Sequence, residues 1–349
     1  MDSHLSSQLD FAAAHVDDHL EALYRITRIA SISADETRRS DVAQCAAEVQ
    51  KLMQEVGIEH SEILTLPGKN AHPCVYGELL GAGPDKPTLL LYAHYDVQPI
   101  GDADRWKSSP WEPEVRDGRV YARGIVDDKA GFIVHLAAIE SYLKTVGSLP
   151  VNVKFLVEGE EEIGSTHLED YIATYAEKLK ADVLVLSDTH NHDTGIPSIT
   201  YALRGILALN LELSALKQSL HSGSFGGPFP NPIEMLSKMI AQLTDEQGKI
   251  TIPNFYDDVH VMKDHEREKM QALPFDIEQF KHKAGVLPGV ELFDYAHPFE
   301  LMWYQPSLTV TAFESNLVSS APNQIIQSAK ARITLRIVPN INPEKPCFN

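Results

Sequence analysis

The 349-residue chain has only three cysteines, Cys45, Cys74 and Cys347, too few and too scattered for a disulfide framework or a cysteine-built zinc finger. That scarcity predicts a reducing compartment. Basic residues are also in short supply: 30 Lys and Arg stand against 49 Asp and Glu, a formal charge of −19. The imbalance argues against a nucleic-acid partner and leaves no basic run for a membrane surface. No apolar stretch reaches bilayer-spanning length. The first thirty residues, with Asp2, Asp10, Asp17, Asp18 and Glu21 among them, lack the basic start and apolar core of a signal peptide. The expectation is a cytoplasmic protein acting on a small molecule or peptide, with neither nucleic acid nor membrane as partner.

Internal repeats and low-complexity tracts are absent, and the length allows two domains with a sizeable core. Residues 11–29 and 37–56 carry apolar side chains at three and four spacing (Val42, Cys45, Ala46, Val49, Leu52, Met53, Val56), which predicts two packing helices. Strand candidates at 74–80, 88–93, 151–157 and 183–187 then alternate with helices at 129–146 and 166–179. This rhythm predicts an α/β domain with a mainly parallel sheet flanked by helices. From about residue 199 the pattern becomes an alternating strand over 201–213, a Gly/Pro-rich turn at 222–232, a helix over 233–243 and strands at 308–313 and 331–338. Residues 253–303 have no clear period and read as loops and short helices. The second half is expected to be a smaller α+β domain, giving boundaries at 1–198 and 199–349.

Acidic and histidine clusters sit where the apolar, strand-like runs 88–93, 120–126, 151–157 and 183–187 end: His94-Tyr95-Asp96, Asp127-Asp128, Glu160-Glu161-Glu162 and Asp188. In an open α/β sheet, ligands collect beyond the carboxyl ends of the strands, so the four clusters are candidates for one crevice holding a divalent metal pair. Each has a plainer reading. His94 and Asp96 are polar residues at a strand end, although a carboxylate beside a histidine also orients the ring for metal binding. One of Asp127 and Asp128 is expected to cap the following helix, leaving the other free to bridge two cations. Three adjacent glutamates usually form a solvated charge run, but Gly159 and Gly164 permit a tight turn and the preceding strand reads as buried. His190 and His192 follow Asp188 in a polar loop and read as solvated. His221 and Arg336, in the second half, are of types that are more often structural.

Taken together, these segments resemble the dizinc aminoacylase and dipeptidase family that includes carnosinases, acetylornithine deacetylase and succinyl-diaminopimelate desuccinylase, most closely its carnosinase-like branch. The resemblance is carried by Tyr92-Ala93-His94-Tyr95-Asp96-Val97-Gln98-Pro99, the stretch 106–113, Tyr121-Ala122-Arg123-Gly124-Ile125-Val126-Asp127-Asp128-Lys129-Ala130-Gly131, residues 158–165, Leu186-Ser187-Asp188, Leu220-His221-Ser222-Gly223 and Arg336-Ile337-Val338-Pro339, in family order. It implies a zinc aminopeptidase-like catalytic domain with an inserted lid and dimerisation domain. It also implies two Zn²⁺ per subunit, with Co²⁺ or Mn²⁺ as substitutes. His94 and Asp188 would hold one ion and Glu162 the other, with Asp127 bridging both and the Asp127–Asp128 peptide cis.

By the same resemblance Asp96 would orient a neighbouring ligand and Glu161 would be the general base. His221 would stabilise the oxyanion in a neighbouring subunit of a homodimer, and Arg336, with Asn323, would bind the substrate's terminal carboxylate. The implied activity is hydrolysis of dipeptides or related N-acyl amino acids. The alternatives are deacylation of N-acetyl or N-succinyl amino acids, and a product without catalysis. Family members continue past this point to a last histidine ligand, whereas residues 337–349 contain none. The resemblance therefore implies a truncated or frameshifted product, or a fragment, with both domains incomplete at their C-terminal ends.

Overall fold

The computed structural model describes residues 5–344 other than His190, His192, Thr194 and Tyr201. The two histidines after Asp188, Cys347 and the ending 345–349 thus lie outside the described residues. The chain divides into two compact units, 1–198 and 199–349.

In the first unit the elements run α1 (Ser6–Ala14), α2 (Val16–Thr27), α3 (Arg39–Val56), β1 (His60–Leu64), β2 (Cys74–Leu79), β3 (Thr88–His94), β4 (Glu114–Arg116), β5 (Arg119–Tyr121), α4 (Lys129–Thr145), β6 (Asn152–Glu158), α5 (Leu168–Thr174), α6 (Ala176–Leu179) and β7 (Val183–Leu186). Five strands form one sheet in the order β1-β2-β6-β3-β7. The three strands that carry the acidic clusters are parallel neighbours, while β1 and β2 pair antiparallel at the far edge. The α/β class is as the sequence predicts, but the sheet is mixed. β1 escapes sequence reading because it is a mostly exposed edge strand, His-Ser-Glu-Ile-Leu, with little apolar signal.

Alternation along the strands divides two cores. Val153, Phe155 and Val157 of β6, with Val75 and Leu91, face a cluster containing Val42, Cys45, Val49 and Met53 of α3 and Phe132 and Leu136 of α4. Leu156, Cys74 and Tyr76 face the other way, toward Tyr171 and Leu179. Two expected helices are each broken in two: His15 interrupts 11–29, its ring nitrogen Nδ1 lying 2.8 Å from the Phe11 carbonyl oxygen, and Tyr175 separates α5 from α6. The apolar run 120–126 is not a strand of this sheet. Its first residues pair only with β4, and the rest turns through Gly124 at φ 73°, with Ile125 buried in the core.

The second unit contains β8 (Gly205–Ser214), β9 (Leu220–His221), α7 (Ser222–Phe225), α8 (Pro232–Ala241), α9 (Asp264–Gln271), α10 (Ile277–Ala284), α11 (Pro298–Trp303), β10 (Ser307–Glu314), β11 (Gln324–Ile325) and β12 (Ser328–Ile337). β10, β12 and β8 form an antiparallel sheet in that order. β12 alternates cleanly, with Ala329, Ala331, Ile333, Leu335 and Ile337 buried and Lys330, Arg332 and Arg336 exposed, as a one-sided sheet requires. α8 begins where Asn231 accepts a hydrogen bond from the Ile233 N–H and Pro232 occupies the first turn, a start signal written in the sequence. Among the described residues, no helix is long and apolar enough to cross a membrane.

Candidate metal centre

β6, β3 and β7 end side by side, and the residues just beyond them converge. His94 closes β3 with its side chain fully buried. Its Nδ1 lies 3.1 Å from the Asp96 carbonyl oxygen and 3.3 Å from Asp96 Oδ1. Nδ1 is thereby committed to Asp96, and Nε2 faces an acidic group. Asp127 Oδ1 is 3.0 Å from Nε2, while Glu161 Oε2 and Asp188 Oδ2 are each 3.8 Å away. His94, Asp127 and Asp188 each offer a ligand atom within 4.8 Å of the others. Burial opposes charge on the His94 ring, but the hydrogen bond to Asp96 and the fields of Asp96, Asp128 and Asp188 outweigh it and push the imidazole up to about 10.

The three consecutive glutamates diverge. Glu160 is buried, with Oε1 accepting from the His72 N–H (2.7 Å) and Oε2 accepting from the His167 N–H (3.1 Å) and lying 2.8 Å from His167 Nδ1. It secures the turn. Glu161 points toward His94, and burial, reinforced by the charges of Asp188 and Glu162 against the pull of His94, raises its carboxyl above the ordinary value. Glu162 lies outside the three-residue cluster, where Gln98 Nε2 donates to its Oε2 (2.9 Å). Its carboxyl is also raised, by burial first and by Asp127 among the neighbouring charges. Gly164, at φ 85°, reverses the chain after this turn.

Asp96 is completely buried and uses both oxygens. Oδ1 accepts the Glu161 N–H (3.2 Å), and Oδ2 accepts the Glu162 N–H (3.1 Å) and the Ser33 hydroxyl (2.6 Å). The Asp127–Asp128 peptide is cis, as the resemblance implies. Asp128 stands at the N-cap of α4 without making a side-chain capping bond. Its Oδ2 instead accepts the His94 N–H (3.2 Å), and burial pushes its carboxyl up to about 7. Capping therefore accounts for neither aspartate. Sequence reasoning passed over Ser33 and the supporting parts of Asp128, Glu160 and Gln98; Gln98 and Asp128 lie within the quoted motifs, whereas Ser33 carries no spacing signal.

In the second unit, β9 pairs with β11 so that His221 stands opposite Gln324, and the Ser222 N–H donates to the Asn323 carbonyl (2.9 Å). His221 and Asn323 are thus brought together. The Gly223 N–H donates to His221 Nδ1 (3.1 Å), so a neutral ring carries its proton on Nε2. Arg336 lies exposed on β12, in register with Ile206 of β8 and Ser307 of β10.

The family model for peptidase family M20/M25/M40 matches residues 90–338. The chain belongs to this peptidase family. It is 32% identical over 342 residues to the Cys-Gly metallodipeptidase dug1 of Schizosaccharomyces pombe, covering 94% of this chain and 71% of that protein. It is 30% identical over 270 residues to the Beta-Ala-His dipeptidase of Mus musculus, covering 76% of this chain but 54% of that protein, so the match spans about half of that relative's length. Among solved structures it resembles the M20 family metallo-carboxypeptidase Sso-CP2 of Sulfolobus solfataricus, with a TM-score of 0.78 at 33% identity, over 94% of this chain and 72% of that one. M20 peptidases are metal-dependent hydrolases. One imidazole with its far nitrogen held by Asp96, facing carboxylate oxygens on three segments, is a donor set that fits a divalent cation.

Proposed function

We propose that the protein is a zinc-dependent dipeptidase, hydrolysing the amide bond of dipeptides or related N-acyl amino acids. The observation that carries this reading is His94 Nε2 facing Asp127, Asp188 and Glu161 across 3.0–3.8 Å at the ends of the parallel strands. His94 and Asp188 would hold one cation and Glu162 a second, with Asp127 shared between them. Zn²⁺ is the ion that the family resemblance implies, with Co²⁺ or Mn²⁺ as substitutes, and one imidazole with several carboxylates is compatible with it. When bound, such ions lower the pKa of water and polarise a carbonyl.

The chain's own residues supply the rest. Asp96 orients His94 and, through two backbone N–H groups, the turn bearing Glu161 and Glu162. Glu161, whose carboxyl burial raises above its ordinary value, is the general base that takes a proton from the attacking water and returns it to the leaving amine. His221 donates from Nε2 to the developing oxyanion, a role supported by the Gly223 bond that fixes its tautomer. Arg336, whose guanidinium matches a carboxylate, and Asn323 bind the substrate's terminal carboxylate. The first unit would be catalytic and the second a lid and dimerisation domain, with His221 serving the partner subunit of a homodimer. Cys45 and Cys74, both free and buried, agree with a cytoplasmic setting.

The test is turnover by the metal-depleted protein, reloaded with Zn²⁺, Co²⁺ or Mn²⁺, on a panel of dipeptides and of N-acetyl and N-succinyl amino acids. Dipeptide hydrolysis that returns with metal is expected. Preference for the N-acyl series would reassign the substrate, and no hydrolysis with any ion would sink the reading.

A further inference from the structure

We infer that Ser33 is a positioning residue of the metal centre: its buried hydroxyl locks the Asp96 carboxylate in the one orientation that serves the His94 ring and the Glu161–Glu162 turn together. The inference rests on the reading of this centre as a metallohydrolase site. Ser33 Oγ donates to Asp96 Oδ2 at 2.6 Å, and both side chains are buried, Ser33 at 4% exposure and Asp96 at 0%. The same Oδ2 accepts the Glu162 N–H, while Oδ1 accepts the Glu161 N–H and faces His94 Nδ1. Without the hydroxyl, one backbone N–H remains on Oδ2, and a buried carboxylate short of a donor rotates toward whatever donor it can reach. His94 and both glutamates depend on the orientation that would be lost.

The approach of Ser33 is built in. The segment 31–33 runs beside 95–97 through its backbone: the Val97 N–H donates to the Ser31 carbonyl (3.0 Å), and Ile32 bridges Val97 in parallel. A second route reaches the same turn. The Ser33 carbonyl oxygen lies 3.2 Å from His72 Nε2, and the His72 N–H donates to Glu160 Oε1. One residue from outside the sheet therefore touches both supports of the acidic turn, one through its side chain and one through its backbone.

Ser31 provides the control, being equally buried and hydroxyl-bearing but bonded to a backbone carbonyl rather than to Asp96. Zinc affinity is measured by chelator competition on metal-free protein, and kcat and KM on a dipeptide. Ser33→Ala is expected to weaken zinc binding and lower kcat by about 10- to 100-fold, with KM within about 3-fold of wild type. Ser33→Cys, of similar size but a weak donor, should move both quantities the same way and covers a failure of the alanine variant to fold. Ser31→Ala should leave zinc affinity within about 2-fold, whatever it costs in stability. Unchanged zinc affinity in Ser33→Ala or Ser33→Cys overturns the inference, as does an equal loss in Ser31→Ala. Absent turnover in a wild-type protein that binds zinc would instead reject the proposed reaction, and the zinc measurements would still decide the role of Ser33.

Discussion

Glu160, Glu161 and Glu162 are neighbours in the chain with three different surroundings, and their assignments make separate demands. Glu161→Gln keeps the shape of the side chain but cannot accept the proton from water, so kcat should fall by about 10²- to 10⁴-fold while bound metal stays near the wild-type amount. Steady-state kinetics with metal analysis checks this; a parallel loss of metal would make Glu161 a ligand rather than a base. Gly159, just before the turn, is constrained by space. A Cβ there would lie 2.3 Å from the Tyr95 hydroxyl and 3.0 Å from the Pro73 carbonyl oxygen, and that hydroxyl already donates to Pro73 at 2.5 Å. Gly159→Ala should therefore cost about 1–3 kcal/mol in denaturant unfolding of the metal-free protein; a loss below about 0.5 kcal/mol would mean that Tyr95 re-seats freely. The acidic run is plain in the sequence, but its division of labour is not. Which glutamate turns inward is decided by His72, Asp96, Gln98 and His167, and three of these are distant in the chain.

β3 places His94 between an anionic partner on each ring nitrogen, and that placement gives the element a pH signature. In the metal-free protein the His94 pKa is raised to about 10 from an ordinary value near 6.5. The raised value means that the folded ring keeps a proton the unfolded ring has lost. Its contribution to stability is complete below about pH 6.5 and disappears as pH rises through about 10. A cation on Nε2 must displace the same proton. Zinc uptake at pH 8 should thus release about one proton per ion at this position, and apparent affinity should climb with pH until about 10. Calorimetry in buffers of different ionisation heat measures the release; none at all would remove His94 from the ligand set. At this scale sequence reading succeeded where apolar runs are long, as in β3, β6 and α4. It failed over 120–126, because an apolar run reports burial and not pairing. Val120 and Ile125 anchor a turn into the core, while the backbone follows no main-sheet strand.

The molecule is built as two units with separate cores, and the histidine–carboxylate cluster lies wholly in the first. The two units differ in rhythm, with strands alternating with helices in the first and, in the second, an antiparallel sheet whose β12 alternates inward and outward along its length. The residues from the second unit are less legible, since His221, Asn323 and Arg336 acquire a shared purpose only by resemblance. The separation of cores has a thermodynamic consequence. A ligand that binds only the folded form stabilises whatever must be folded to bind it, by about 2.7 kcal/mol at a free concentration one hundred times Kd. A chain of two units need not unfold in one step, so that gain belongs to the unit that makes the site. Zinc at such a concentration should slow amide hydrogen exchange in β3, β6 and the start of α4, where the donors and their supports lie. β8 and β12, the paired strands of the second unit, should exchange at the rate seen without metal. Exchange measured by mass spectrometry, with and without zinc, reads both units in one sample. Protection spreading equally over β8 and β12 would mean that the two units unfold as one, and protection absent from β3 and β6 would place the cation elsewhere.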